Sequence, residues 1–165
     1  MGEAAENICA HHTETFTDTC TKVLKGVGAR ITQPRLAVIR CLEQAKKPLQ
    51  PKDIIDNIES DDSLPKVDRV SVYRVIETLL EHHLVHQVAP TGGYVACTHS
   101  ECSKQMHILT SCSGCGKIDE MHVPSEVMAP LRWFLQGERG FEPEENFLQV
   151  QGTCKACGNK IVRAK

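Results

Sequence analysis

Along the first half of the chain, apolar residues recur at three- and four-residue intervals. Phe16, Cys20, Val23, Leu24 and Val27 share one face of a helix predicted to end near Gly26–Gly28. Thr32 before Pro34 supplies an N-cap and an early-turn proline for a second helix, which turns Leu36, Ile39 and Leu42 inward. Pro51 opens a short third helix with Ile54, Ile55 and Ile58 on one side. A fourth follows Asp68, with Val72, Val75, Ile76, Leu79 and Leu80 inward and Arg69, Tyr73, Arg74 and Glu77 on the opposite face. The period then shortens to that of a strand. Leu84–Ala89 and Tyr94–Thr98 flank Pro90-Thr91-Gly92-Gly93, a hairpin signature. Helices followed by a hairpin spell a winged helix-turn-helix, whose last helix enters the major groove.

The second half has a different pattern. Met106–Ser111 and Lys117–Met121 read as strands around Cys112–Cys115, and Phe147–Gly152 as a third running into Cys154–Cys157. Between them Pro124 to Gln136 has helical character, with a kink or break expected at Pro130. The fold class is therefore α+β: a winged helix over 1–98, a hinge at 99–105 and a small α/β domain over 106–165.

A chain of 165 residues and 18.3 kDa suits two such units. Net charge is -2, so no global positive field advertises a polyanion partner. Locally the balance differs: Lys22, Lys25, Arg30, Arg35, Arg40, Lys46, Lys47 and Lys52 share their segment with one acid, Glu43. No run approaches the roughly 18 apolar residues of a membrane helix, and the polar start MGEAAENICAHHTET lacks a signal-peptide segment. A cytoplasmic protein without a membrane partner is expected. Nine cysteines beside eight histidines change the picture. The cysteine count is odd, and in a reducing compartment such enrichment indicates metal ligation or thiol chemistry rather than disulfides.

Cys112-Ser-Gly-Cys115-Gly and Cys154-Lys-Ala-Cys157-Gly are two C-x2-C-G knuckles. Two intervening residues let both sulfurs reach one ion at about 2.3 Å, and four soft ligands suit a closed, tetrahedral structural zinc site. A redox C-x-x-C pair would need no second knuckle. Zinc here ties the last strand to the first and contributes directly to folding.

Histidine and cysteine also crowd the junction: His82, His83, His86, Cys97, His99, Cys102, His107 and His122, with Glu101 and Glu120. Two geometries compete. Cys97, His99, Cys102 and His107 can close a local loop around zinc. Alternatively, His86 and Cys97 from the wing combine with His107 and Glu120 from the second domain, so that an ion fixes the interdomain angle and shifts the conformational population. His11, His12, His82 and His83 read as ordinary surface residues. A thiolate with imidazoles favours zinc over iron(II) or manganese.

Gly28-Ala-Arg30-Ile-Thr32-Gln-Pro-Arg35 resembles the G-x-R-x-T-x-x-R opening of the ferric uptake regulator (Fur) family. Ser71-Val-Tyr73-Arg74-Val-Ile-Glu-Thr-Leu79, followed by Leu84-Val85, resembles its recognition-helix pattern. His107 five residues before the first knuckle, Glu120 eight residues after Cys112, and Gly152-x-Cys154-x-x-Cys157 complete a likeness covering about residues 17–158. The resemblance implies a metal-responsive repressor that binds operator DNA as a homodimer when metal-loaded. The zinc uptake regulator branch fits best, since it places regulatory ligands where His86, Cys97, His107 and Glu120 stand. Iron- and peroxide-sensing members carry a histidine before the third helix, where this chain reads Lys47-Pro-Leu-Gln50. Leu109 and Asn146 likewise stand where many members have histidine.

The implied function is DNA binding, with no small-molecule substrate and no enzymatic activity. Tyr73 and Arg74 face the bases, arginine as a bidentate partner of guanine, while Ser71, Arg30, Arg35 and Lys52 contact phosphates. Three alternatives compete. One is a family member sensing iron or manganese, and another a zinc-ribbon interaction module. The third is a zinc deaminase, because His99-Ser-Glu101 before Cys112-x-x-Cys115 mimics H-x-E…C-x-x-C. That last reading leaves the second knuckle unexplained and has Ser111 where proline is expected.

Overall fold

The computed structural model describes residues 14–89, 91–97, 107–142 and 147–158. The expected hinge at 99–105 lies outside them, as do His11, His12, His99, Glu101, Cys102 and Asn146.

Four helices come first: α1 (Phe16–Gly26), α2 (Gln33–Gln44), α3 (Pro51–Ser60) and α4 (Arg69–Glu81). Their starts follow the sequence signals. The Thr32 hydroxyl caps α2 by accepting from the Arg35 amide, with a proline in the first turn. Asp68 caps α4 by accepting from the Ser71 amide. Cys20, Leu24, Val38, Ile39, Leu42, Ile54, Ile58, Val72, Ile76 and Leu79 form one buried cluster, as helical spacing requires. Val27, expected inward, is exposed because the chain leaves α1 there as its C-cap.

The hairpin is β1 (Val85–Val88) and β2 (Gly93–Ala96), antiparallel, with His86 opposite Val95. Gly93 belongs to the strand rather than the turn. A Cβ there would lie 2.9 Å from Pro48 Cβ, so only glycine lets the wing approach this segment. The approach is sealed by a bridge in which Leu49 and Tyr94 exchange backbone hydrogen bonds of 3.0 and 2.8 Å.

The remaining elements are β3 (His107–Cys112), β4 (Ile118–His122), α5 (Ser125–Trp133) and β5 (Phe147–Gly152). The sheet order is β4-β3-β5, with β3 antiparallel to β4 and parallel to β5. Of the kink or break expected at Pro130, the break does not occur. The helix runs through it and loosens only afterwards, into a π-helical turn at Phe134–Glu138. Among the described residues, no helix is long and apolar enough to cross a membrane.

Candidate metal centres and nucleic-acid face

Strand β3 ends on Cys112, whose sheet partner on β5 is Gly152, so the pairing brings the two knuckles together. Cys112, Cys115, Cys154 and Cys157 place their sulfurs within 4.8 Å of one another. Cys115 and Cys154 are 3.8 Å apart, which matches the roughly 3.8 Å edge of a tetrahedron built on bonds of about 2.3 Å. The first knuckle wraps so closely that a Cβ on Gly114 would lie 3.1 Å from Cys157 Sγ. The Cys154 amide donates to Cys112 Sγ at 3.3 Å. This and the neighbouring amides lower the Cys112 thiol to about 6, while hydrogen bonds that the Cys157 S–H donates to the Cys115 and Cys154 sulfurs push Cys157 up to about 12. Cys112 is thus favoured as a thiolate and Cys157 as a thiol, and a soft cation bound by both resolves that conflict. The donor set fits a structural zinc ion.

A second cluster joins the hairpin to the sheet. The Cys97 amide bonds to Leu84 O at 2.9 Å, which continues the β1–β2 ladder by one rung. Cys97 thus lies two residues beyond His86's partner Val95 and shares His86's face. Glu120, on β4, is opposite Leu109 on β3, and His107 lies two residues before Leu109 on that same face. Glu120 Oε1 is 3.2 Å from His86 Nε2, 3.5 Å from Cys97 Sγ and 3.8 Å from His107 Nδ1. The ligating atoms of His86, Cys97 and Glu120 all lie within 4.8 Å of one another, and the His107 ring centroid is 6.2 Å from that of His86. Glu120 is only 5% exposed and His107 1%. A carboxylate this buried is tolerated beside compensating charge or a metal ion. Cys97 is disulfide-bonded in this structure, so it offers a ligating thiolate once reduced. Of the geometry spanning both regions, the structure groups His86, Cys97 and Glu120, while His107 approaches through Glu120 and stands outside that group. His99 and Cys102 of the local loop lie outside the described residues; His82 is the C-cap of α4, and among the described residues neither it nor His83 belongs to the group.

Tyr73 and Arg74 lie on the exposed face of α4, with Tyr73 46% accessible, so the tyrosine is not a core residue. Arg30 and Lys52 are exposed. Arg35 Nη1 donates to the Arg30 carbonyl, and the Ser71 hydroxyl donates to Asp68. Both side chains are thereby held at the ends of their helices.

The model of the ferric uptake regulator family matches residues 26–151. The chain belongs to this family. It is 26% identical over 145 residues to the zinc uptake regulation protein of Escherichia coli, covering 88% of this chain and 82% of the relative. It is 27% identical over 136 residues to ferric uptake regulation protein 2 of Mycolicibacterium fortuitum, covering 82% and 90%. A solved zinc uptake regulator complexed with zinc and DNA superposes with a TM-score of 0.73 at 26% identity, over 90% of this chain and 95% of that one. The sequence singled out the four cysteines and His86, Cys97 and Glu120, which the structure brings together, but not Gln149, whose amide bridges β5 to the wing: it donates to Gln87 O at 2.6 Å and accepts from Ala89 N at 2.8 Å. A polar residue in a half-exposed strand carries no signal for such a contact.

Proposed function

We propose that this family member is a zinc-responsive transcriptional repressor, a regulator rather than an enzyme, working in the reducing cytoplasm. The observation that carries the reading is the buried His86–Cys97–Glu120 cluster, built half from the wing and half from the sheet. The relatives named for zinc, one of them bound to zinc and DNA, support it. His86, Cys97, His107 and Glu120 hold the regulatory ion, which supplies a multivalent bridge between the wing and the sheet. A thiolate with imidazoles favours zinc over iron or manganese. Cys112, Cys115, Cys154 and Cys157 hold a structural zinc. Fixing the wing fixes α4, and with it Tyr73 and Arg74 against base edges and Arg30, Arg35, Lys52 and Ser71 against phosphates of operator DNA. Trp133, 68% exposed, lies with Val127, Phe134 and Phe141 on the α5 segment that a second copy covers. A twofold homodimer matches a pseudo-palindromic site.

The test measures zinc per chain in reduced protein before and after mild chelation, alongside retention of duplexes selected from a random pool. Two ions falling to one, with the fold kept and duplex retention lost, is the expected result. Cys97→Ser should mimic the chelated protein, and Arg74→Ala should lose sequence preference at unchanged zinc content. Retention indifferent to the second ion would remove the switch.

A further inference from the structure

The hairpin ladder leaves one edge of the wing to be satisfied from elsewhere. The Cys97 amide to Leu84 carbonyl bond sets Leu84, His86 and Val88 as the residues that bond across to β2, so Gln87 and Ala89 turn their backbone groups outward. The outer edge of β2 is covered by Leu49 through Tyr94. Among the described residues, the outer edge of β1 is covered by the Gln149 carboxamide, which donates to Gln87 O and accepts from Ala89 N as a paired strand would. Gln149 is opposite Leu109, and Leu109 is opposite Glu120. The three side chains therefore stand on one rung and one face of the sheet. One end of that rung meets the wing through the metal-competent cluster and the other through an uncharged amide.

We propose that Gln149 is a positioning residue, a metal-independent latch that holds the wing docked on the sheet and so sets the zinc level at which the regulatory site fills. The inference rests on reading His86, Cys97 and Glu120 as the sensing site. An ion captures the cluster only when the wing is docked, so the apparent affinity scales with the docked fraction before metal arrives. Two hydrogen bonds to the wing's backbone raise that fraction, and losing both should weaken apparent zinc affinity about tenfold.

The test uses full-length reduced protein that retains its four-cysteine zinc. Gln149→Met keeps the side chain's length and loses both hydrogen bonds. Gln149→Glu keeps an acceptor for the Ala89 amide but sets a carboxylate against the Gln87 carbonyl. Without the second ion, amide exchange at Ala89 should speed up about tenfold in Gln149→Met, while the Cys97 amide, bonded within the hairpin, stays protected. In competition with a chelator, the zinc midpoint of the second ion should rise about tenfold in both variants, with DNA retention at saturating zinc unchanged. Midpoints within twofold of wild type, or unaltered exchange at Ala89, would overturn the latch. So would loss of the four-cysteine zinc in both variants, because Gln149 would then be a general structural residue. Wild-type DNA binding indifferent to zinc would overturn the sensing reading instead, and exchange at Ala89 would still decide the latch.

Discussion

The helices α1–α4 bury Leu24, Ile39, Leu42, Ile54 and Leu79 almost completely in one continuous cluster. Across 107–158 the described residues that are buried are His107, Leu109, Cys112 and Met128, three of them polar or sulfur-bearing. Val127, Trp133, Phe134, Phe141 and Val150 meanwhile face solvent. The first region resembles a self-sufficient small domain in which burial offsets conformational entropy. The second has too little buried apolar surface for that and substitutes ligation and, in the proposed assembly, a second copy. Metal dependence is thus built into the part of the molecule that cannot fold on apolar burial alone, which is also where a metal-responsive protein needs its conformation to be conditional.

The largest effect should come from breaking the four-cysteine cluster. Structural zinc sites contribute on the order of 10–16 kcal/mol of apparent folding free energy, more than a region with so small a core can lose. Cys112→Ser, or strong chelation of reduced protein, should unfold the sheet region and leave α1–α4 helical. Tryptophan fluorescence reports the sheet region through Trp133, while far-ultraviolet circular dichroism follows the helices. Loss of both signals in one transition would mean that the regions are not independent.

What the sequence shows of this contrast follows a physical division. Helices announce themselves locally, through Thr32 and Asp68 as caps, Pro51 as an opening residue and the spacing of apolar residues, and the starts of α2, α3 and α4 are legible. The knuckles are legible because ligand chemistry fixes residue type and spacing together. The order β4-β3-β5 is legible only in part: the two knuckles tie the last strand to the first, but no local pattern encodes that β5 pairs with β3 in parallel. The same holds for the choice between His99 and Glu120 as companions of Cys97, which depends on how the wing packs against the sheet. Pro130 leaves kink and break equally open in the sequence, and the structure removes only the break, since α5 runs through it to Trp133.

A smaller effect should come from the apolar side of the comparison. Leu79 is fully buried in α4, and Leu79→Ala should cost about 2–5 kcal/mol through lost transfer and an unfilled cavity. Urea unfolding of zinc-replete protein should show the helical transition moving to lower denaturant while Trp133 fluorescence keeps its midpoint. A matching shift in the fluorescence would show that the sheet region leans on the helical core.

The smallest effect separates the two regions by one residue type. In the sheet region backbone amides hold the Cys112 thiol down near 6, ready to ligate. In the helical core, burial first and then the nearby Glu43 carboxylate push Cys20 up to about 12. Cys20 is thus kept neutral as a packing residue. With its folded value above the unfolded value near 9, the folded state retains a proton that the unfolded chain releases. Its stabilising contribution is complete below about pH 9 and falls away as pH rises from 9 towards 12. Between pH 8 and pH 10 this single group should cost the helical core about 1 kcal/mol. The difference in unfolding free energy between wild type and Cys20→Ala should therefore shrink by that amount over the interval, since other titrating groups cancel. A constant difference would mean that the thiol ionises within the fold, and that the helical core is less tightly closed around Cys20 than its zero exposure requires.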